Sequence, residues 1–171
     1  DTLISRREFL KDIGMIGAGV LLSASPWLSA FSEVVETSGE KCRLAIIGPG
    51  SRGRFLMSFL VQNPKVEIVA LCDIYQPSIE KALELAPKAK VYDDYREILE
   101  DKTVDAVLVA TPLNSHCQIV LDAFDAGKHV FCEKSIGFTM EECFRIYNKH
   151  ISTEKVFFTG QQRLFDPRYI K

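Results

Sequence analysis

Residues 42–53 read CRLAIIGPGSRG: a short apolar run that ends in Gly48-Pro49-Gly50-Ser51-Arg52-Gly53, the pattern G-x-G-x-x-G. The run has the length and residue types of a buried strand. The residues after it, Arg54 to Val61, carry apolar side chains at 55, 56, 59 and 60, a helical stripe closed by Asn63-Pro64. A strand, a glycine turn and a helix in immediate succession give the motif its meaning. The first glycine permits the tight turn, the second lets the backbone approach a pyrophosphate, and the third allows close helix–strand contact. The N-terminus of the helix then offers its N–H groups to the anion. Gly48, Gly50, Ser51, Arg52 and Gly53 are therefore candidate cofactor contacts. For Arg52, contact with phosphate and simple exposure in the first turn are both open.

Outward from this loop, strands and helices alternate. Strands are expected at Val66–Cys72, Lys90–Tyr92, Asp105–Ala110, His129–Cys132 and Val156–Thr159, and helices at Ser78–Leu85, Tyr95–Leu99, Ser115–Ala126 and Met140–Lys149, the last with Thr139 as N-cap. Asp93 and Asp94 are read as the start of the third helix rather than as an acid/base pair. Strands apolar on both faces and separated by helices imply a parallel sheet covered on both sides. Six strands in this order predict an α/β, doubly wound Rossmann fold.

Asp73 closes the second strand, twenty residues after Gly53. A carboxylate there accepts hydrogen bonds from ribose hydroxyls and repels a 2′-phosphate, so NAD is favoured over NADP. Thr111 and Pro112 stand at the end of the fourth strand, in the crevice where open α/β sheets bind ligands. Asn114 and His116 follow. Asn114 reads equally as a helix cap or a cofactor contact, and His116 as a packed side chain before a catalytic one. Glu133 and Lys134 lie just past the fifth strand and face the same crevice, with a surface ion pair as the plain alternative.

Together, Gly48–Gly53, Asp73, Thr111-Pro112 with His116, and Gly127–Lys134 resemble the Gfo/Idh/MocA oxidoreductases, the glucose–fructose oxidoreductase and inositol dehydrogenase group. Residues 160–167, GQQRLFDP, resemble that family's passage out of its nucleotide domain. The resemblance runs from Cys42 to the end. It implies an NAD(P)-binding domain and a sugar or polyol substrate that reacts at its alcohol carbon. It matches Glu133-Lys134 to the family's Glu-Lys-Pro motif and implies a catalytic role for Lys134 beside the nicotinamide. Ser135 replaces the proline, so the loop is expected to hold Lys134 differently. A homo-oligomer is also expected of the full-length protein. A glycosidase resembling glycoside hydrolase family 109, which uses bound NAD for a transient oxidation, and a non-catalytic nucleotide-binding module are the alternatives.

Upstream, residues 5–11, SRREFLK, precede an uncharged run from Ile13 to Ser32 that contains Gly14, Gly17, Gly19 and Pro26. This frame resembles a twin-arginine signal, with Leu28-Ser29-Ala30 as the cleavage site. The expected organisation is a signal peptide over 1–30, a linker over 31–41, the dinucleotide-binding domain over 42–160, and over 161–171 the start of a connection to a second α/β substrate domain absent from this chain. A periplasmic or extracytoplasmic location follows, with no stable membrane span once the signal is removed.

The chain has 171 residues, 47% of them hydrophobic and 26% charged, with a net charge of −2. That composition is globular and offers no basic patch for nucleic acid. Five scattered cysteines without a CxxC suggest neither a disulfide scaffold nor a structural zinc site, so no metal is expected.

Overall fold

The structure, a computed structural model, describes residues 41–161. The readings placed on residues 1–40 and 162–171 lie outside the described residues. Six strands, β1 (Cys42–Ile47), β2 (Val66–Cys72), β3 (Lys90–Tyr92), β4 (Ala106–Val109), β5 (His129–Cys132) and β6 (Phe157–Thr159), form one sheet in the order β3-β2-β1-β4-β5-β6. Every pairing is parallel. The expected doubly wound fold is what the chain adopts.

Among the described residues the helices are α1 (Ser51–Leu60), α2 (Gln76–Leu83), α3 (Tyr95–Glu100), α4 (Leu113–Asp125) and α5 (Met140–Ile151). Alternate side chains of each strand point to opposite faces. Leu44 and Ile46 of β1 therefore join Met57, Leu60, Ile79 and Ala82 under α1 and α2. Ala45 and Ile47 join Ile98, Val120 and Ile146 under α3, α4 and α5. The sheet is sealed on both sides, which is why its strands carry no polar alternation.

Several helix bounds differ from expectation, and each has a local cause. α1 begins at Ser51, three residues early, because the glycine turn itself forms its first turn. α2 begins at Gln76, where Pro77 sits in the first turn with its φ already helical. α4 begins at Leu113 with Pro112 at the N-cap position, so Asn114 is an exposed first-turn residue and not a cap. Ser115 takes up the turn instead: its hydroxyl donates to the carbonyl of Pro112 at 2.8 Å and can accept from the Thr111 hydroxyl, 2.7 Å away. Asp105 stands just before β4 rather than in it, and both its oxygens are held by Arg43. Asp94 caps α3 by accepting from Arg96 N, and Thr139 caps α5 within a full capping box closed by Glu142.

His150, near the end of α5, is half-buried. It stacks on Phe124 with ring centroids 5.8 Å apart, and its buried Nδ1 has no hydrogen-bond partner among the described residues. Burial pushes its pKa down. Cys42, Cys72, Cys117 and Cys132 are buried free thiols. Burial pushes the first, second and last of these up to about 12. Among the described residues no helix is long and apolar enough to cross a membrane.

Candidate dinucleotide site

The sheet register brings the site together. Ile47 pairs with Cys72 and with Val109, Val109 with Cys132, and Cys132 with Thr159. The residues that follow these strand ends (Gly48, Asp73, Ala110 with Thr111, Glu133 with Lys134, and Gly160) therefore stand in one row along the C-terminal edge. Backbone bonds fix that row: Gly48 N donates to Cys72 O, Glu133 N to Val109 O and Gly160 N to Cys132 O, each at 2.8 Å.

Gly48 has φ +85°, a left-handed conformation that favours glycine. A Cβ on it would also lie 2.7 Å from Thr111 N, so the first glycine is pinned against the β4–α4 turn. Gly53 is pinned in turn, since its Cβ would fall 2.5 Å from Gly48 O. Gly50 differs, because a Cβ there meets nothing within 4 Å. It caps α1 with no side-chain hydrogen bond, and no acid occupies the helix's first turn. An open space before an uncapped helix N-terminus, approached by bare backbone, fits a pyrophosphate.

Asp73 lies at the end of β2. Its Oδ1 accepts from Tyr75 N at 2.9 Å, which leaves Oδ2 to take a ribose hydroxyl. Ile74 and Tyr75 are 99% and 63% exposed, apolar surface next to the ribose acid that would suit a flat heterocycle. They were not among the sequence candidates, although two apolar residues directly after that acid are the signal that marks them.

His116 is buried at 1% exposure and ties two loops together. Its Nε2 lies 2.8 Å from Thr111 O and its Nδ1 2.7 Å from Ser135 O. It thus braces the loop that carries Lys134, behind the crevice rather than in it. The Lys134–Ser135 peptide is cis.

Arg52 has a partner that neither of its open readings named. Its Nε donates to Glu133 Oε1 at 2.7 Å, and its guanidinium stacks over Phe55. Glu133 is no surface ion-pair member, being 5% exposed. Lys134 beside it is exposed, so the two adjacent charges are separated. Arg52 and Glu133 stand 81 positions apart in the chain, and no local pattern announces such a pair. The phosphate loop, Asp73, Thr111, Glu133 and Lys134 share the row, whereas Pro112 and Asn114 lie on the exposed surface of the α4 start.

The chain has relatives of known class. A family model described as "Oxidoreductase family, NAD-binding Rossmann fold", the Gfo/Idh/MocA group, matches residues 42–161. A glycosyl hydrolase family 109 protein of Stenotrophomonas maltophilia is 34% identical over 162 residues, covering 88% of this chain and 34% of that protein. An alpha-N-acetylgalactosaminidase of Shewanella oneidensis is 31% identical over 174 residues, covering 89% of this chain and 38% of that protein. The crystal structure of myo-inositol dehydrogenase from Lactobacillus casei, in complex with NAD(H) and myo-inositol, superposes with a TM-score of 0.70 at 33% identity, over 74% of this chain and 38% of that one. This chain spans about a third of the length of the curated relatives it matches. With the glycine loop, the strand-end acid and the sheet order already in place, these matches establish that the chain belongs to the Gfo/Idh/MocA oxidoreductase family and forms its NAD-binding Rossmann domain.

Proposed function

We propose that this domain serves an enzyme that moves hydride between a sugar or polyol alcohol carbon and NAD. The observation that carries the reading is the contrast among the three glycines: two are locked by packing, while the third faces open space at an uncapped helix end. Bound NAD supplies a hydride acceptor at its nicotinamide ring. The chain's own residues bind and orient. The N–H groups of α1 receive the pyrophosphate, and Asp73 receives the adenosine ribose and disfavours a 2′-phosphate. Lys134, exposed at the end of β5, presents an ammonium that would orient the substrate hydroxyl and ease its deprotonation. His116 keeps that loop in place through the Ser135 carbonyl.

A second reading has specific support. The relatives at 31–34% identity are named as family 109 glycosyl hydrolases and an alpha-N-acetylgalactosaminidase. A glycosidase of this kind would use the same dinucleotide site and release a cleaved sugar. Export through the twin-arginine route belongs to both readings and is supported by the Arg6-Arg7 frame ahead of an uncharged run.

NAD titration of the 171-residue chain tests the cofactor site. Gly50→Ala and Asp73→Ala are each expected to weaken NAD by about tenfold or more, and equal affinity across the three proteins would sink the assignment. For the full-length protein, cleavage of an aryl glycoside without net NADH selects the glycosidase, and NADH accumulation with a polyol selects the dehydrogenase.

A further inference from the structure

We propose that the Arg52–Glu133 ion pair is a positioning bar for the nicotinamide half of the dinucleotide, fixed across the C-terminal end of β4. The inference rests on the dinucleotide reading above. Arg52 lies in the first turn of α1, directly after the glycine turn that follows β1, and Glu133 follows β5. In the sheet, β4 lies between those two strands. The 2.7 Å bond therefore spans the strand end from which Thr111 leads into α4. A dinucleotide whose pyrophosphate rests on α1 has its second half directed toward β4 and β5, over this bond.

The carboxylate is held from three sides. Arg52 binds Oε1, the backbone N–H of Lys134 donates to Oε2 at 3.1 Å, and the backbone of Gly160 packs so closely that a Cβ there would lie 2.8 Å from the carboxyl carbon. The last contact makes glycine the residue that fits at the exit of β6. A buried carboxylate needs such partners, since an unpaired one is strongly disfavoured. On the other side, Phe55 supports the guanidinium 5.2 Å from its ring centre. Charge supplies the functional argument. The oxidised nicotinamide is itself cationic, and a bare guanidinium in this position would repel it. Neutralised by Glu133, Arg52 becomes a rigid wall rather than an opposing charge. The same carboxylate grips the Lys134 backbone, so the bar also sets the start of the loop that carries the lysine. Arg52 and Glu133 are thus positioning residues, not phosphate ligands.

Comparing NAD with ADP-ribose separates these roles. The two share adenosine and pyrophosphate, and only NAD carries nicotinamide. The 171-residue chain and its Arg52→Gln, Arg52→Lys and Glu133→Gln variants are titrated with each. Arg52→Gln and Glu133→Gln are expected to weaken NAD by about tenfold and ADP-ribose by less than about twofold. Arg52→Lys should recover part of the loss. The double variant should lose no more than either single one, because both break one bond. Equal loss of both ligands would make Arg52 a phosphate contact and overturn the proposal, as would unchanged NAD affinity. If the unmodified chain binds neither ligand, the dinucleotide reading falls first and this inference with it. Should Glu133→Gln fail to fold, Arg52→Gln carries the test, because its side chain is 40% exposed.

Discussion

Substituting the three loop glycines one at a time should give two different phenotypes. Gly48→Ala must adopt φ +85° and meet Thr111, and Gly53→Ala must push against the Gly48 carbonyl. Backbone neighbours cannot swing aside, so each should lose roughly 1–3 kcal/mol of stability by chemical denaturation. Gly50→Ala has an ordinary φ of −64° and open space before it. It should unfold at the same denaturant concentration as the unsubstituted chain and fail only in NAD titration. The sequence motif marks all three positions but does not say which are structural. That distinction appears once Thr111 and Ala110, some sixty residues further on, are seen pressing on the loop. Arg52 makes the same point: its first-turn position is local information, whereas its partner is brought there by the order of the strands.

At the level of elements, the strands were the most legible. The bounds of β2, β3 and β5 match the expectation from apolar runs, because a strand buried on both faces leaves an unbroken hydrophobic stretch. Helix starts were harder to read. The expected start of α4 falls two residues late because Asn114 looks like a capping residue, while Pro112 already supplies the extended backbone of an N-cap. The start of α5 is legible from Thr139 alone; the structure adds its reciprocal partner, since Thr139 accepts from Glu142 N and the Glu142 carboxylate accepts from Thr139 N, both at 3.2 Å. This box secures the return from the Lys134 loop into the helix. Thr139→Ala should cost about 1 kcal/mol in urea denaturation. Glu142→Gln, which keeps the reciprocal bond, should cost less.

For the whole molecule, acid stability follows from groups that the fold either buries or surrounds with partners. Asp101 is held below the usual carboxylate range by the hydroxyl and backbone N–H of Thr103 and by the Tyr92 hydroxyl. Burial works to raise Asp105, but the hydrogen bonds and charge of Arg43 outweigh it, and its pKa also falls. Lowered carboxylates add stability above their unfolded pKa of about 3.9 and lose it as pH falls toward the folded value. His129 and His150 are pushed down chiefly by burial. For an imidazole the same sign puts the loss below about 6.5, where the unfolded chain takes protons that the folded one refuses. Denaturation midpoints measured across pH should therefore be level near neutrality, decline from about 6.5, and drop more steeply below about 4. Replacing His150 with Phe should reduce the upper decline to the part that His129 contributes and leave the lower one. A titration of this form depends on which side chains the sheet buries, and that is why composition alone does not disclose it.

The buried thiols have a kinetic meaning. A thiolate, not a thiol, attacks an oxidant or an electrophile, and burial keeps Cys42, Cys72 and Cys132 protonated up to about pH 12. The sheet in its closed state is thus silent toward sulfur chemistry. Each of these cysteines reacts only during the moments when its own strand is open, so its rate of modification is a clock for that opening. The clocks sit on β1, β2 and β5, and together they time the breathing of the strands whose ends form the dinucleotide crevice.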